Sequence, residues 1–180
     1  MNAPPPRWLA DWRGGVLAPA DALAHYDRLP GLRTAALRGR WRGAELRTGH
    51  RLDGLLPALG WWGKAFRGDD DVDPLLFATG RGTVALQPAR MPLSLALAAP
   101  PLARSAPVRG AFALARPLLR TRRPAARLRE IVHRGVASAA MLYDRLPIVD
   151  HFRRIDEARV LGLMDLRDSA QPFFFLLERD

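Results

Sequence analysis

Cysteine is absent from this 180-residue sequence. Its absence excludes disulfide frameworks, cysteine nucleophiles, thiolate zinc sites and iron–sulfur clusters. The four histidines are scattered, and no two of them lie three or four residues apart, so helical metal-ligand pairs are missing as well. We therefore expect neither a metal nor a cofactor.

Long apolar runs are also missing. No stretch reaches the ~18 apolar residues that cross a bilayer, and no apolar run follows the charges of the opening residues, as a secretory signal requires. Hydrophobic residues nevertheless make up 48% of the chain, which is enough for one core. The sequence predicts a single soluble, cytoplasmic domain.

Motifs of enzymes are scarce. None of the four serines lies in a G-x-S-x-G elbow, and glycine-rich nucleotide loops are absent. A turn around Pro147 could join Asp144 and Asp150 as a general acid/base pair, although both carboxylates could instead cap the backbone of that turn. The favoured interpretation is a protein without a catalytic residue, and an enzyme that uses this pair is the alternative.

Basic charge is concentrated in one segment. The net charge is +10, and Lys64 is the single lysine among 28 basic residues. Eight arginines and no acidic residue lie between Pro100 and Arg129. Leucines alternate with these arginines and Phe112 is the one aromatic, a pattern that suits weak contact with an anionic membrane better than nucleic acid, which we do not expect as a partner. A solvated loop is the alternative.

Periodicity indicates the fold. Residues 20–29 predict a brief helix, after which Leu37, Gly39, Trp41 and Gly43 alternate with arginines, as in a half-buried strand. Short strands separated by turns, without crossover helices, favour an antiparallel barrel. The further predicted strands cover residues 61–66, 74–78, 83–87, 93–98, 128–133, 136–143, 160–166 and 173–178.

This pattern divides the chain into four parts. Residues 1–19 are predicted to be an irregular lead-in, and residues 20–99 to form the first half of the barrel. An excursion rich in arginine, proline and alanine spans residues 100–126, with a helical stretch interrupted by Pro117. Residues 127–180 complete the same barrel.

Several motifs resemble a known family. Gly39-Arg40-Trp41-Arg42-Gly43, Thr48-Gly49-His50 and Gly60-Trp61-Trp62-Gly63-Lys64 resemble the bacterial GXWXG family. The stretch from Arg127 to Leu161-Gly162, with Met141-Leu142-Tyr143-Asp144 and Asp150-His151-Phe152, is similar to the uncharacterised domain that usually follows it. The Gly-x-Trp motif also resembles the first strand of lipocalins and nitrobindins. The resemblance implies a mainly β, antiparallel, lipocalin-like barrel with short helices.

The expected function follows from such a barrel. Its interior can hold one small ligand, so we predict a carrier or sensor of a small hydrophobic or amphipathic molecule, such as a lipid or fatty acid. Gly39, Trp41 and Gly43 are expected to be structural, with Trp41 buried at the closed end. The predicted ligand-binding residues come from both halves: Thr48, His50, Trp62, Lys64, Tyr143, Asp144, Pro147, Asp150 and Phe152.

Two further hypotheses concern single residues. Lys64 is two residues from Trp62 and from Phe66, so all three are expected on one strand face, with the ammonium facing either a ligand head group or Asp150. The nitrobindin comparison makes His133 or His151 a candidate haem ligand in a second alternative function.

Overall fold

The computed structural model describes residues 4–167 and 169–180, apart from the side chain of Leu95. The strands are β1 (Gly39–Leu46), β2 (Trp61–Phe66), β3 (Val72–Thr79), β4 (Gly82–Ala85), β5 (Ala126–His133), β6 (Val136–Tyr143), β7 (Ile148–Arg154), β8 (Arg159–Leu166) and β9 (Phe173–Arg179). The helices are α1 (Arg7–Gly14), α2 (Pro19–Asp27), α3 (Leu55–Leu59), α4 (Leu93–Ala98), α5 (Pro100–Ala103) and α6 (Ala106–Leu119).

The strands form one antiparallel sheet in the order β2-β1-β9-β8-β7-β6-β5-β3-β4. A further pairing of β2 with β3 closes eight of these strands into a barrel and leaves β4 as an appended strand. The second edge of β3 is shared, because Val72 pairs with Ala126 of β5 while residues 76–79 pair with β4. The predicted antiparallel barrel with short helices is confirmed.

Two apolar layers stabilise the barrel. The inner layer fills the interior and contains Trp41 and Phe152. The outer layer lies where α1 and α2 cover β1, β8 and β9, so that Trp12 and Tyr26 pack with Phe174. Two covered faces explain why β9 is apolar from Phe173 to Leu177. The N-terminal residues expected to be irregular therefore include α1, whose buried side chains dock on the sheet.

The closed end of the barrel is built around Trp41. Its side chain is buried, its indole Nε1 donates to the carbonyl of Leu37 at 2.7 Å, and the guanidinium of Arg179 lies 4.3 Å from the ring centroid. The segment that leads into β1 crosses this end, where Pro30 and Leu32 accept hydrogen bonds from the backbone of β7 and β6. These contacts leave the closed end densely packed.

Two further predictions of secondary structure are wrong. Residues 93–98 form helix α4 and not a strand, and the excursion over residues 100–126 contains α5 and the fourteen-residue α6. Helix α6 continues through Pro117, which lies in its last turn, where only one interior hydrogen bond is lost. No helix in the described ranges is long and apolar enough to cross a bilayer.

Strand β7 was not predicted. Its sequence places charged residues on both faces, and the structure buries one on each side of the sheet: Asp150 towards the barrel interior and Arg153 towards the outer layer. A pattern of hydrophobic residues does not anticipate buried charges, because such residues are normally exposed.

Candidate ligand-binding cavity

A cavity of about 400 Å³ occupies the end of the barrel opposite Trp41. This volume lies within the range of small-molecule sites in proteins. The barrel contributes aromatic and aliphatic walls, including Trp61, Phe173 and Phe175. Leucines of α3 and of the preceding turn line the side of the cavity. The barrel thus keeps a space at one end that the closed end lacks.

Helices α4 to α6 cover this space, and we refer to residues 93–119 as the helical lid. The residues that α6 directs at the cavity recur every three or four positions, as on one face of a helix; they are Val108, Ala111, Phe112, Ala115 and Leu119. The Phe112 ring lies 5.4 Å from the ring of Phe77 in the barrel core. The lid therefore packs one apolar, half-buried face against the barrel mouth.

Arginine side chains hold the lid to the barrel rim. Arg116 donates to the carbonyl oxygens of Ala78 at 2.8 Å and Leu59 at 3.2 Å. Arg104 donates to the carbonyl of Asp53, and from the barrel side Arg51 donates to Leu97 at 3.2 Å. Because the acceptors are backbone carbonyls, these contacts require no acidic partner within the arginine-rich segment.

The polar end of the cavity is formed by Lys64, Tyr143 and Asp150, which we call the polar cluster. Lys64 Nζ lies 2.9 Å from Asp150 Oδ2, and both side chains are almost completely buried. Nζ also donates to the carbonyl oxygen of Pro74 at 3.1 Å and to the hydroxyl of Tyr143 at 3.4 Å. An ammonium has three donors, and all three meet an oxygen here.

Burial controls the protonation of this cluster. Desolvation raises the pKa of the Asp150 carboxyl, and the neighbouring ammonium of Lys64 opposes that shift. Burial and the negative charge of Asp150 raise the pKa of Tyr143 well above its usual range, so the phenol stays protonated at neutral pH. In the described part of the chain, Oδ1 of Asp150 has no hydrogen-bond partner.

An irregularity in β2 places Lys64 in the cavity. The register with β3 shifts on both sides of Gly63, whose φ of +149° suits glycine and whose Cβ, if present, would collide with the carbonyl of Trp41. As a result Trp61 and Lys64, three residues apart, both line the cavity. Trp62 lies on the other face, with the Arg40 guanidinium 4.5 Å from its ring. The predicted shared face of Trp62 and Lys64 is therefore wrong.

Three of the nine predicted ligand-binding residues line the cavity, and they are the members of the polar cluster. Thr48 and His50 instead fix the loop after β1. The imidazole of His50 accepts from the backbone of Leu52 at 3.1 Å and contacts Ser169 Oγ at 3.1 Å. Thr48 accepts two hydrogen bonds from the amide of Gln171.

The other predicted residues are also outside the cavity. Phe152 packs in the barrel core with its ring edge-on to Phe66, and Pro147 is exposed. Asp144 binds Arg127 at the surface at 2.7 Å, whereas Asp150 points inwards to Lys64. The turn does not bring the two carboxylates together, so the geometry gives no support to an acid/base pair.

The two candidate haem ligands lie outside the barrel. His133 and His151 stack with ring centroids 3.8 Å apart, and the edge of Tyr26 from α2 approaches His133. Neither imidazole lines the cavity. Burial lowers the pKa of both, that of His151 to about 4, and the positive charge of Arg153 adds to the effect.

The structural candidates lie along β1. Gly43 faces the indole of Trp61, which a Cβ at this position would strike, so this glycine makes room for a cavity wall. Gly39 opens the strand with a φ of +110°. The predicted site residues include neither the lid nor the aromatic walls Trp61, Phe173 and Phe175. The helical spacing of the lid residues is present in the sequence, but Pro117 favours an interrupted helix there.

The fold and cavity define a class, a closed antiparallel barrel with an apolar chamber under a helical lid. Residues 24–82 match the GXWXG protein family, and residues 124–179 match a domain of unknown function (DUF4334). The chain belongs to the GXWXG family, and the DUF4334 domain supplies the second half of the barrel. The predicted pairing of these two regions is confirmed, and the helical lid lies between the two matched ranges.

A solved structure shares this architecture. The chain is 30% identical to a protein from Thermomonospora curvata whose crystal structure superposes with a TM-score of 0.68. The similarity covers 92% of this chain and 89% of that protein. No curated protein matches the sequence.

Proposed function

We propose that this protein binds a small hydrophobic or amphipathic, lipid-like molecule without converting it, as a carrier or sensor. The observation that carries the proposal is the 400 Å³ cavity, with predominantly apolar walls and one polar cluster. Sites for small molecules combine apolar surface with a few orienting polar groups in this way. Arg90 also lines the chamber, but its guanidinium donates to the carbonyl of Leu118.

Burial of apolar surface supplies the driving force for binding. Each Å² of apolar ligand surface removed from water contributes about 25 cal/mol before the cost of association. An alkyl chain or fused-ring skeleton can meet the barrel walls on one side and the lid on the other. A polar end group would then lie at Lys64, Tyr143 and Asp150, where the cavity has its buried ionisable groups.

Native mass spectrometry of the purified chain tests the proposal. We expect a bound molecule of constant mass, recovered unchanged after extraction and able to bind again. Ala115→Trp should prevent binding, because Ala115 faces the cavity. Ala113→Trp is the matched control, since Ala113 lies on the exposed side of the same helix. Equal binding by both variants, or turnover of the extracted molecule, would contradict the proposal.

The outer face of the lid supports a second part of the proposal, that the protein exchanges its ligand at an anionic membrane. Leu114 and Leu118 lie one turn apart on α6 with 85% and 77% of their surface exposed, and Leu102 on α5 is 54% exposed. Exposed arginines, including Arg109 and Arg122, flank these leucines. Leucine and arginine together suit the surface of an anionic bilayer, and this surface is the roof of the cavity.

Vesicle co-sedimentation tests this contact. We expect the protein to bind vesicles of phosphatidylglycerol and phosphatidylcholine, and to bind pure phosphatidylcholine weakly. Leu114→Ser/Leu118→Ser should reduce binding to the anionic vesicles by about tenfold or more, because each leucine contributes apolar burial. Val16→Ser/Val132→Ser is the control, since both valines are also largely exposed, at 63% and 70%, but far from the lid in sequence. If the control variant loses binding to the anionic vesicles and the leucine variant does not, the lid is not the membrane contact.

A further inference from the structure

The charges at the polar end of the cavity are already balanced. Lys64 and Asp150 form an ion pair at 2.9 Å, and the remaining donors of the ammonium meet Pro74 and Tyr143. A ligand carboxylate would have to displace one of these oxygens and would place a second negative charge beside Asp150. Burying an additional charge without its own partner is costly. The cluster is therefore poorly suited to a fatty acid.

Hydrogen-bonding capacity does remain in the cluster, and it is of two kinds. The Oδ1 atom of Asp150 is buried without a hydrogen-bond partner in the described chain, and it can accept. The hydroxyl of Tyr143 accepts from Lys64 through its oxygen, so its own hydrogen is free to donate. Both groups adjoin the same ammonium nitrogen. One unmet acceptor and one free donor thus stand side by side.

We propose that this cluster binds the hydroxyl group of an apolar alcohol, which donates to Asp150 and accepts from Tyr143. The inference rests on the proposed function and narrows it to a ligand class. A hydroxyl is the simplest neutral group with one donor and an available acceptor, and it leaves the ion pair intact. The apolar walls then select an alkyl or ring skeleton, so long-chain and cyclic alcohols are the expected ligands.

Three probes with the same ten-carbon chain distinguish a site for an alcohol from a site for a carboxylate or an ether. They are 1-decanol, decanoate and 1-methoxydecane. The methyl ether keeps the alcohol oxygen but has no hydrogen to donate. Titration of the ligand-free protein at pH 7.5 should rank decanol first, by about tenfold or more over each of the others, because hydrogen bonds to charged groups contribute strongly. Displacement of the neutral fluorophore N-phenyl-1-naphthylamine provides the measurement.

Two variants test the roles of the cluster. Tyr143→Phe removes the donor without changing any charge, and we expect decanol to bind several-fold more weakly while methoxydecane changes less than decanol. Asp150→Asn leaves the positive charge of Lys64 unpaired, and we expect the preference to invert in favour of decanoate. If Asp150→Asn does not fold, the ranking of the three probes on the native chain and on Tyr143→Phe still decides the question.

The outcomes distinguish this inference from the proposed function. If decanoate or methoxydecane binds as tightly as decanol to the native chain, the alcohol site is refuted while the apolar cavity stands as a binding site. The alcohol site is also refuted if Tyr143→Phe weakens all three probes equally. If none of the probes binds or displaces the fluorophore, the proposed function itself fails.

Discussion

The two ends of the barrel are built differently. At the closed end, the chain crosses between strands and the large ring of Trp41 fills the interior, fixed by hydrogen bonds between groups of the sheet and the crossing segment. At the lid end the interior stays open, and the cover consists of helices attached through arginine side chains. We therefore expect the closed end to supply stability and the lid end to supply access for a ligand.

Trp41→Ala should have the largest effect. We expect it to lower the free energy of unfolding by about 3–5 kcal/mol, as truncation of a buried aromatic does. Chemical denaturation measures the change. The same substitution at Trp62, which lies on the outer face with Arg40 and Arg42, should cost about 1 kcal/mol. If Trp41→Ala cost less than the control, the closed end would not be the stabilising end.

Lys64→Met should have the second-largest effect on stability. Removing the ammonium leaves Asp150 buried without its ion pair, and we expect a loss of about 3 kcal/mol in unfolding free energy. The double variant Lys64→Met/Asp150→Leu should recover most of it, since both charges are then gone. A single variant as stable as the native chain would show that the polar cluster is not an ordered part of the lid end.

The barrel itself could be predicted from the sequence, because its strands alternate or are separated by turns. The inward orientation of Trp41 could also be predicted, because the Gly-x-Trp-x-Gly pattern determines which face of the strand the indole lies on. Prediction failed where a local irregularity or a buried charge breaks the pattern. The bulge at Gly63 reverses the orientation of Trp62, and Asp150 with Arg153 makes β7 look like a surface segment. Neither a bulge nor a distant ion pair leaves a periodic signal.

The site was predicted only in part for a related reason. Lys64 stood out because it is the single lysine, and Asp150 because it was a candidate partner. The six other candidates belong to the family motifs or to the turn at Pro147, and motif residues also maintain loops, as Thr48 and His50 do. The pentapeptide Tyr-Asp-Arg-Leu-Pro occurs at residues 26–30 and again at 143–147, and its two copies differ in structure. Tyr26 lies in the last turn of α2 outside the barrel, whereas Tyr143 ends strand β6 and lines the cavity.

The stacked imidazoles beneath α2 should make the protein sensitive to acid. The pKa of His151 is about 4 in the folded chain against an ordinary value of 6.5, mainly because of burial. Between these values the folded protein binds fewer protons than the unfolded chain, so stability falls as the pH decreases through that window. We expect His151→Gln to remove about 2 kcal/mol of this dependence between pH 7 and pH 4. If His151→Gln loses as much stability between pH 7 and pH 4 as the native chain does, the imidazoles are not a buried, neutral stack.

The lid end should show the opposite dependence. Burial raises the pKa of Glu45 to about 7, while its Oε1 accepts from the backbone of Gly54 at 2.6 Å. Between pH 4.5 and 7 the folded protein keeps a proton that the unfolded chain has lost, so this carboxyl lowers stability as the pH rises. Glu45→Gln keeps the acceptor and should stabilise the protein by about 1 kcal/mol at pH 8. At pH 4.5 the variant and the native chain should be nearly equal, and a gain of the same size at both pH values would exclude titration as its cause.

The smallest effect on stability should come from the arginines that hold the lid. Arg116→Gln removes the bonds to Ala78 and Leu59 at the rim, and each exposed or half-buried bond contributes about 1 kcal/mol or less. Global unfolding should therefore change little. Amide hydrogen exchange should nevertheless accelerate in α6, because a small number of such hydrogen bonds and one apolar face hold the lid to the barrel, and this variant lacks two of the bonds.

Arg109→Gln is the matched control for the lid, since Arg109 lies on the exposed side of the same helix. Exchange in α6 should stay at the native rate in this variant, and exchange in β1 and β9 at the closed end should stay slow in both. Release of a bound fluorophore should accelerate in Arg116→Gln by the same factor as exchange in α6, because both processes require the lid to open. If release accelerates without faster exchange in α6, the ligand leaves by a route other than the lid, and access would not be the property that distinguishes this end of the barrel.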